Sequence, residues 1–143
     1  MRAKHLLRQP MVLMTLFASV ASAGDLTFVA DATNPANGKE YKAYLDLSTK
    51  HREGAYETVK LVSIYEKPIT AAGFADVKSM VNTFQIDCLR KVKRVTYIAF
   101  LNSQGQVIVD EKYADPPDEP LGENNVTQKI VPYLCSQAAD PVK

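Results

Sequence analysis

The chain has 143 residues, with 17 Lys and Arg against 16 Asp and Glu, two Cys and no Trp. That length holds one domain. A net charge of +1 supplies no excess of cations to grip a nucleic-acid backbone, so nucleic acid is the least favoured partner.

The N-terminus, "MRAKHLLR", carries Arg2, Lys4 and Arg8 without an acid, and runs into "MVLMTLFASV" and Ala21-Ser22-Ala23. A cationic start, an apolar middle and a small-x-small exit predict a secretory signal peptide over residues 1–23, cleaved after Ala23. An apolar run of about ten residues is half of what a membrane span needs, and no cysteine follows it to carry a lipid anchor. Residues 24–143 then form the domain, with 14 Lys and Arg against 16 Asp and Glu, a net charge of −2. Export to the periplasm, the medium or the cell surface is the expected location.

In chain order, "DLTFVAD" alternates Leu26, Phe28 and Ala30 as a weak strand, and "ATNPANGK" is turn material. "EYKAYLDLS" places Tyr41, Ala43, Leu45 and Leu47 on one face and Lys42 and Asp46 on the other, the period of a half-buried strand. "TKHREG" is read as a turn. "YETVKLVSIYEK" is rich in β-branched and aromatic residues and predicts the next strand, which Lys67-Pro68 is expected to end. "ITAAGFADVKS" reads as either loop or short helix.

"MVNTFQIDC" then aligns Met80, Phe84, Ile86 and Cys88 on one side. "VKRVTYIAFLN" and "QVIVDEKY" flank "NSQG", a hairpin turn with Gly105 available for a left-handed backbone. "ADPPDEPLGENN" is proline-rich and acidic and predicts no regular element. In "NNVTQKIVPYLC", Val126, Ile130 and Leu134 recur at helical spacing, with Asn124 or Asn125 as N-cap and Pro132 opposing a regular helix.

Cys88 and Cys135 both lie in the exported part, where an oxidising compartment favours one disulfide. Neither a C-x-x-C spacing nor a placed histidine supports a redox pair or a catalytic thiol. The expected fold is α+β, an antiparallel meander of about five or six strands with a short C-terminal helix tied to it by that disulfide.

The order of these features resembles the surface-adhesin protein E-like family. The similarity spans roughly Glu40 to Cys135 and rests on "FQIDC", "VTYIAFLNSQGQVI" and the closing "YLC". It implies a twisted antiparallel sheet with a disulfide-joined helix, the option of a homodimer, and attachment to host extracellular-matrix and plasma proteins. It also implicates the strand around the first cysteine in ligand binding.

Chemistry-bearing residues are few. After the leader, His51 is the remaining histidine, flanked by Lys50 and Arg52, which gives no triad, no histidine-based zinc site and no expected cofactor. The crowded cations Arg90, Lys91, Lys93 and Arg94 admit two readings. In the first, pairing across "NSQG" joins residues whose numbers add to roughly 207 to 209, so Arg94 meets Tyr113 to Asp115, and Arg90 and Lys91 meet Asp118 and Glu119 as solvated pairs. In the second, this basic edge contacts a protein or glycan ligand. The acidic stretch with Asp110, Glu111, Asp115, Asp118, Glu119 and Glu123 opens an alternative, a secreted inhibitor of a basic enzyme such as lysozyme. A periplasmic envelope component without a host ligand is a third.

Overall fold

The computed structural model describes residues 26–135; the signal-peptide expectation for residues 1–23 lies outside them. The elements are β1 (Leu26–Thr33), β2 (Glu40–Glu53), β3 (Tyr56–Ala71), β4 (Phe74–Asp87), β5 (Val92–Leu101), β6 (Val107–Lys112), β7 (Glu119–Pro120) and α1 (Asn125–Cys135). The first six strands form one antiparallel sheet in sequential order, and β7 pairs with β5. The expected meander is therefore present, and the structure is mostly β with one helix on one face.

Strand alternation decides what that face carries. Ala43, Leu45, Val59, Leu61, Phe84 and Ile86 point to one side and are buried under Val126, Ile130 and Leu134 of α1. Asn124 caps the helix, its Oδ1 accepting from the Val126 amide at 2.8 Å. Pro132 lies within α1 and cannot donate to the carbonyl four residues back. The turn persists because Leu134 is buried beyond it and Cys135 is bonded to Cys88, with a Cα–Cα distance of 5.7 Å. Lys50 Nζ, donating to the Tyr133 carbonyl at 2.9 Å, satisfies one of the last-turn acceptors.

Four expectations change. "TKHREG" is not a turn, because β2 continues to Glu53 through a bulge between Asp46 and His51. Its freed polar groups are met locally: Thr49 Oγ1 donates to the Asp46 carbonyl at 2.6 Å and accepts from the Lys60 amide at 2.9 Å. Pro68 does not end β3, since it falls where pairing with β4 lapses between Ile64 and Ile69 and beyond the last β2 pair at Tyr65. A residue without N–H is tolerated where no ladder asks for one. "ITAAGFADVKS" is neither loop nor helix but the tip of a hairpin, turning at Ala72 and Gly73 with φ of 49° and 80°. Two consecutive positive φ values are the geometry that matches strand twist. Finally, the acidic loop contains the short strand β7.

Candidate functional site

Residues one place out of phase with the core point to the sheet's other face, and there the structure builds a polar network. Thr58, Gln85 and Arg94 lie side by side on three neighbouring strands. Gln85 is 1% exposed. Its Nε2 donates to Glu53 Oε2 at 2.8 Å and to Thr58 Oγ1 at 3.0 Å, and its Oε1 accepts from Arg94 Nε at 2.7 Å. The Arg94 guanidinium stacks 3.8 Å from the Tyr56 ring centroid, with Arg90 at 5.6 Å from the same ring.

Arg90 ties this network to the tip of the β4–β5 hairpin. Its Nε donates to Asp87 Oδ2 at 2.7 Å, its Nη1 to Asp118 Oδ2 at 2.9 Å and its Nη2 to the Tyr56 hydroxyl at 2.7 Å. The Tyr56 hydroxyl in turn donates to Asp118 Oδ1 at 2.7 Å. Asp87 Oδ1 accepts from the amides of Leu89 and Arg90, each at 3.0 Å. The turn is thus held by a carboxylate, a guanidinium and the disulfide at once, and its apex residue Leu89 is 87% exposed.

These contacts shift the acids. The Arg90 amide and then its guanidinium hold the Asp87 carboxyl below the usual range, while the Tyr56 hydroxyl, followed by Arg90, lowers Asp118. The Arg90 guanidinium is raised, Asp87 being the main cause, then Asp118 and Tyr56. At the outer edge His51 Nε2 meets Glu53 Oε1 at 2.6 Å. Its bond to the Thr49 carbonyl and then this one raise His51, and the same contact with His51 lowers Glu53.

A depressed carboxyl pKa favours the native state above the unfolded value near 4 and stops doing so as pH falls through the folded value. Wild-type stability is therefore expected to drop below about pH 4, and Asp87→Asn to flatten that drop. At pH 7 the same variant is expected to be less stable than wild type through the charge-assisted bonds it weakens. Urea midpoints across pH measure both, and parallel pH profiles would remove the role given to Asp87.

The four cations singled out in sequence do not form one patch. Arg90 and Arg94 are engaged on the face opposite the helix. Lys93 pairs in register with Ile86 and turns to the helix side, its Nζ 5.9 Å from the Phe84 centroid. Lys91 is exposed at the turn, with φ of 54°. Among the described residues neither lysine makes an ion pair. The acids are also dispersed: Asp118 serves Tyr56 and Arg90, Tyr97 donates to Asp110 at 3.1 Å and Tyr113 to Glu111 at 3.0 Å. Gln85, Asp87, Tyr56 and Glu53 were not singled out in sequence. The polar alternation inside "FQID" was the available signal, since Gln85 and Asp87 are out of phase with Phe84 and Ile86.

Beside this network the outer edge of β5 opens into a cavity of about 490 Å³, lined by Val95, Ile98, Tyr113 and Pro116 among others. Among the described residues no group of three or more His, Cys, Asp or Glu is placed to hold a metal ion, and no helix is long and apolar enough to cross a membrane.

No curated protein and no solved structure gives a significant match to the chain. A family-wide sequence model does: that of surface-adhesin protein E matches residues 31–136, from the middle of β1 to just past Cys135. The match takes in the sheet, the β4–β5 turn and the disulfide-joined helix, and the chain belongs to the surface-adhesin protein E family.

Proposed function

We propose that the chain is an exported, non-enzymatic binding domain whose ligand is a protein, in the family's manner a host matrix or plasma protein. Its contact surface is the turn and strand start around Arg90, Lys91, Lys93 and Arg94. The observation that carries this is the over-determined β4–β5 turn. Asp87, Arg90 and the disulfide hold the backbone, so Leu89 and Lys91 are presented to solvent without an ordering cost at the moment of binding. Arg90 and Arg94 position rather than contact, because their own partners occupy them. Two copies can also associate, in keeping with the family resemblance; the sheet face opposite α1, where Phe28 is 48% exposed, is the surface offered for that.

The test is binding of the mature protein to immobilised matrix and plasma proteins, with wild type compared with Lys91→Glu/Lys93→Gln. Wild type is expected to bind at least one of them, and the variant to bind it about tenfold or more weakly, most clearly at low salt. Absence of wild-type binding would remove the ligand class, and equal binding by the variant would remove the surface.

A further inference from the structure

We propose that His51 is a proton-controlled latch. As an imidazolium it fastens the turn end of the β2–β3 hairpin to β4, and on losing its proton as pH rises it releases that end while the rest of the sheet stays folded.

The geometry asks for both ring protons. Nδ1 lies 2.8 Å from the Thr49 carbonyl and Nε2 lies 2.6 Å from Glu53 Oε1. A carbonyl and an ionised carboxylate can only accept, and a neutral imidazole has one N–H to give, so only the charged ring fills both contacts at once. The two acceptors stand on either side of His51 in β2, just past the bulge that follows Asp46. The ring is half exposed, so its proton exchanges freely with solvent. From there a row of side chains carries the contact inward. His51 pairs with Thr58, Thr58 with Gln85 and Gln85 with Arg94, one residue from each of four neighbouring strands. Glu53 is the joint: Oε1 takes the bond from His51, and Oε2 the bond from buried Gln85 at 2.8 Å. Gln85 in turn accepts from Arg94 Nε at 2.7 Å. The His51 proton therefore bears on where the Glu53 carboxylate sits, and that carboxylate on the Gln85 amide.

The surrounding charges favour the closed latch. On its own strand Lys50 is drawn to the helix side by the Tyr133 carbonyl, and Arg52 turns to the Gly54 carbonyl and Glu57. The Thr49 carbonyl, then Glu53, and at longer range Glu57 of β3, hold His51 above its ordinary value of 6.5. β4 brings neutral Gln85 to the row, and Arg94 of β5 acts on Glu53, which His51 and then Gln85 already lower. A raised histidine stabilises the native state below its unfolded value and ceases to do so as pH rises through the folded one. A lowered carboxyl does the reverse, its contribution being lost as pH falls. The latch is thus closed in mildly acidic solution and opens on the alkaline side through His51.

Residues 24–143 contain a single histidine, so the ring signals of the 15N-labelled mature protein, followed from about pH 5 to pH 9, read the latch directly. The expected ring midpoint lies above 6.5, and the Gln85 side-chain amide signals move with the same midpoint. Hydrogen exchange should show the protection of amides from His51 to Thr58 falling several-fold through it, while Ala43 to Leu45, ahead of the bulge, keep theirs. Glu53→Gln removes the carboxylate but keeps its shape; it should bring the ring midpoint down towards the ordinary value and uncouple Gln85 from it. His51→Gln, at an exposed position that puts folding at no risk, should leave the Gln85 signals constant over the same range. A wild-type ring midpoint at or below 6.5, Gln85 signals that ignore the ring's titration, or an unchanged midpoint in Glu53→Gln would each overturn the latch.

Discussion

Replacing both cysteines, as Cys88→Ser with Cys135→Ser, is expected to lower the stability of the domain by about 4 kcal/mol, the chain-entropy value for this loop. The bridge closes 47 residues of sequence, most of them in β5, β6 and the acidic loop. A loss of that size is a large part of the 5–15 kcal/mol typical of a folded domain. The effect should fall first on α1. Eleven residues with an internal proline are too few to hold a helix alone, so without the bridge Val126, Ile130 and Leu134 must hold it by packing. Urea unfolding gives the magnitude, and amide exchange gives the place, with protection lost at the C-terminal turn of α1 before the strands. A loss below about 1 kcal/mol would mean that the unfolded chain is already restricted without the bond.

Ile130→Ala is expected to cost about 2–5 kcal/mol, the range for emptying a fully enclosed aliphatic site. Ile130 is 0% exposed and central to the helix stripe, packed over side chains from β2, β3 and β4. Leu89→Ser provides the internal comparison: Leu89 is 87% exposed, and its replacement should stay within about 0.5 kcal/mol. In the cysteine-free background the Ile130→Ala cost should shrink, because a helix that is no longer tethered spends less time docked and neighbouring effects do not add. Equal denaturation midpoints for Ile130→Ala and Leu89→Ser would show that α1 does not close the core.

The legible parts of the fold were those in which one chain segment carries its own instruction. The β5–β6 hairpin is an example: "NSQG" has a glycine at the position with φ of 75°, and the pairs from Tyr97 with Lys112 to Leu101 with Val107 have numbers adding to 209 or 208. The β3–β4 turn was not legible because Ala72 occupies a left-handed position that Asn or Gly usually fills; the ladder from Glu57 with Ile86 to Ala71 with Phe74 brings the ends together. Pro68 misled for the same reason, since its cost depends on whether neighbours are present to ask for its N–H.

The sequence by itself determined the alternation of Ala43 and Leu45, of Phe84 and Ile86, the spacing of Val126, Ile130 and Leu134, and the pairing of Cys88 with Cys135, because each is a periodicity or a count. Pairing across "NSQG" also placed Arg90 by Asp118, which it meets at 2.9 Å; only the tertiary structure decided the other partners of the charged residues. Whether Arg90 is a free cation or a strut depends on Asp87, Asp118 and Tyr56, which come from a turn, a loop and a strand up to 62 residues apart. Electrostatic partners are chosen by distance in space, and no local pattern encodes which side chains the folded sheet brings within 3 Å.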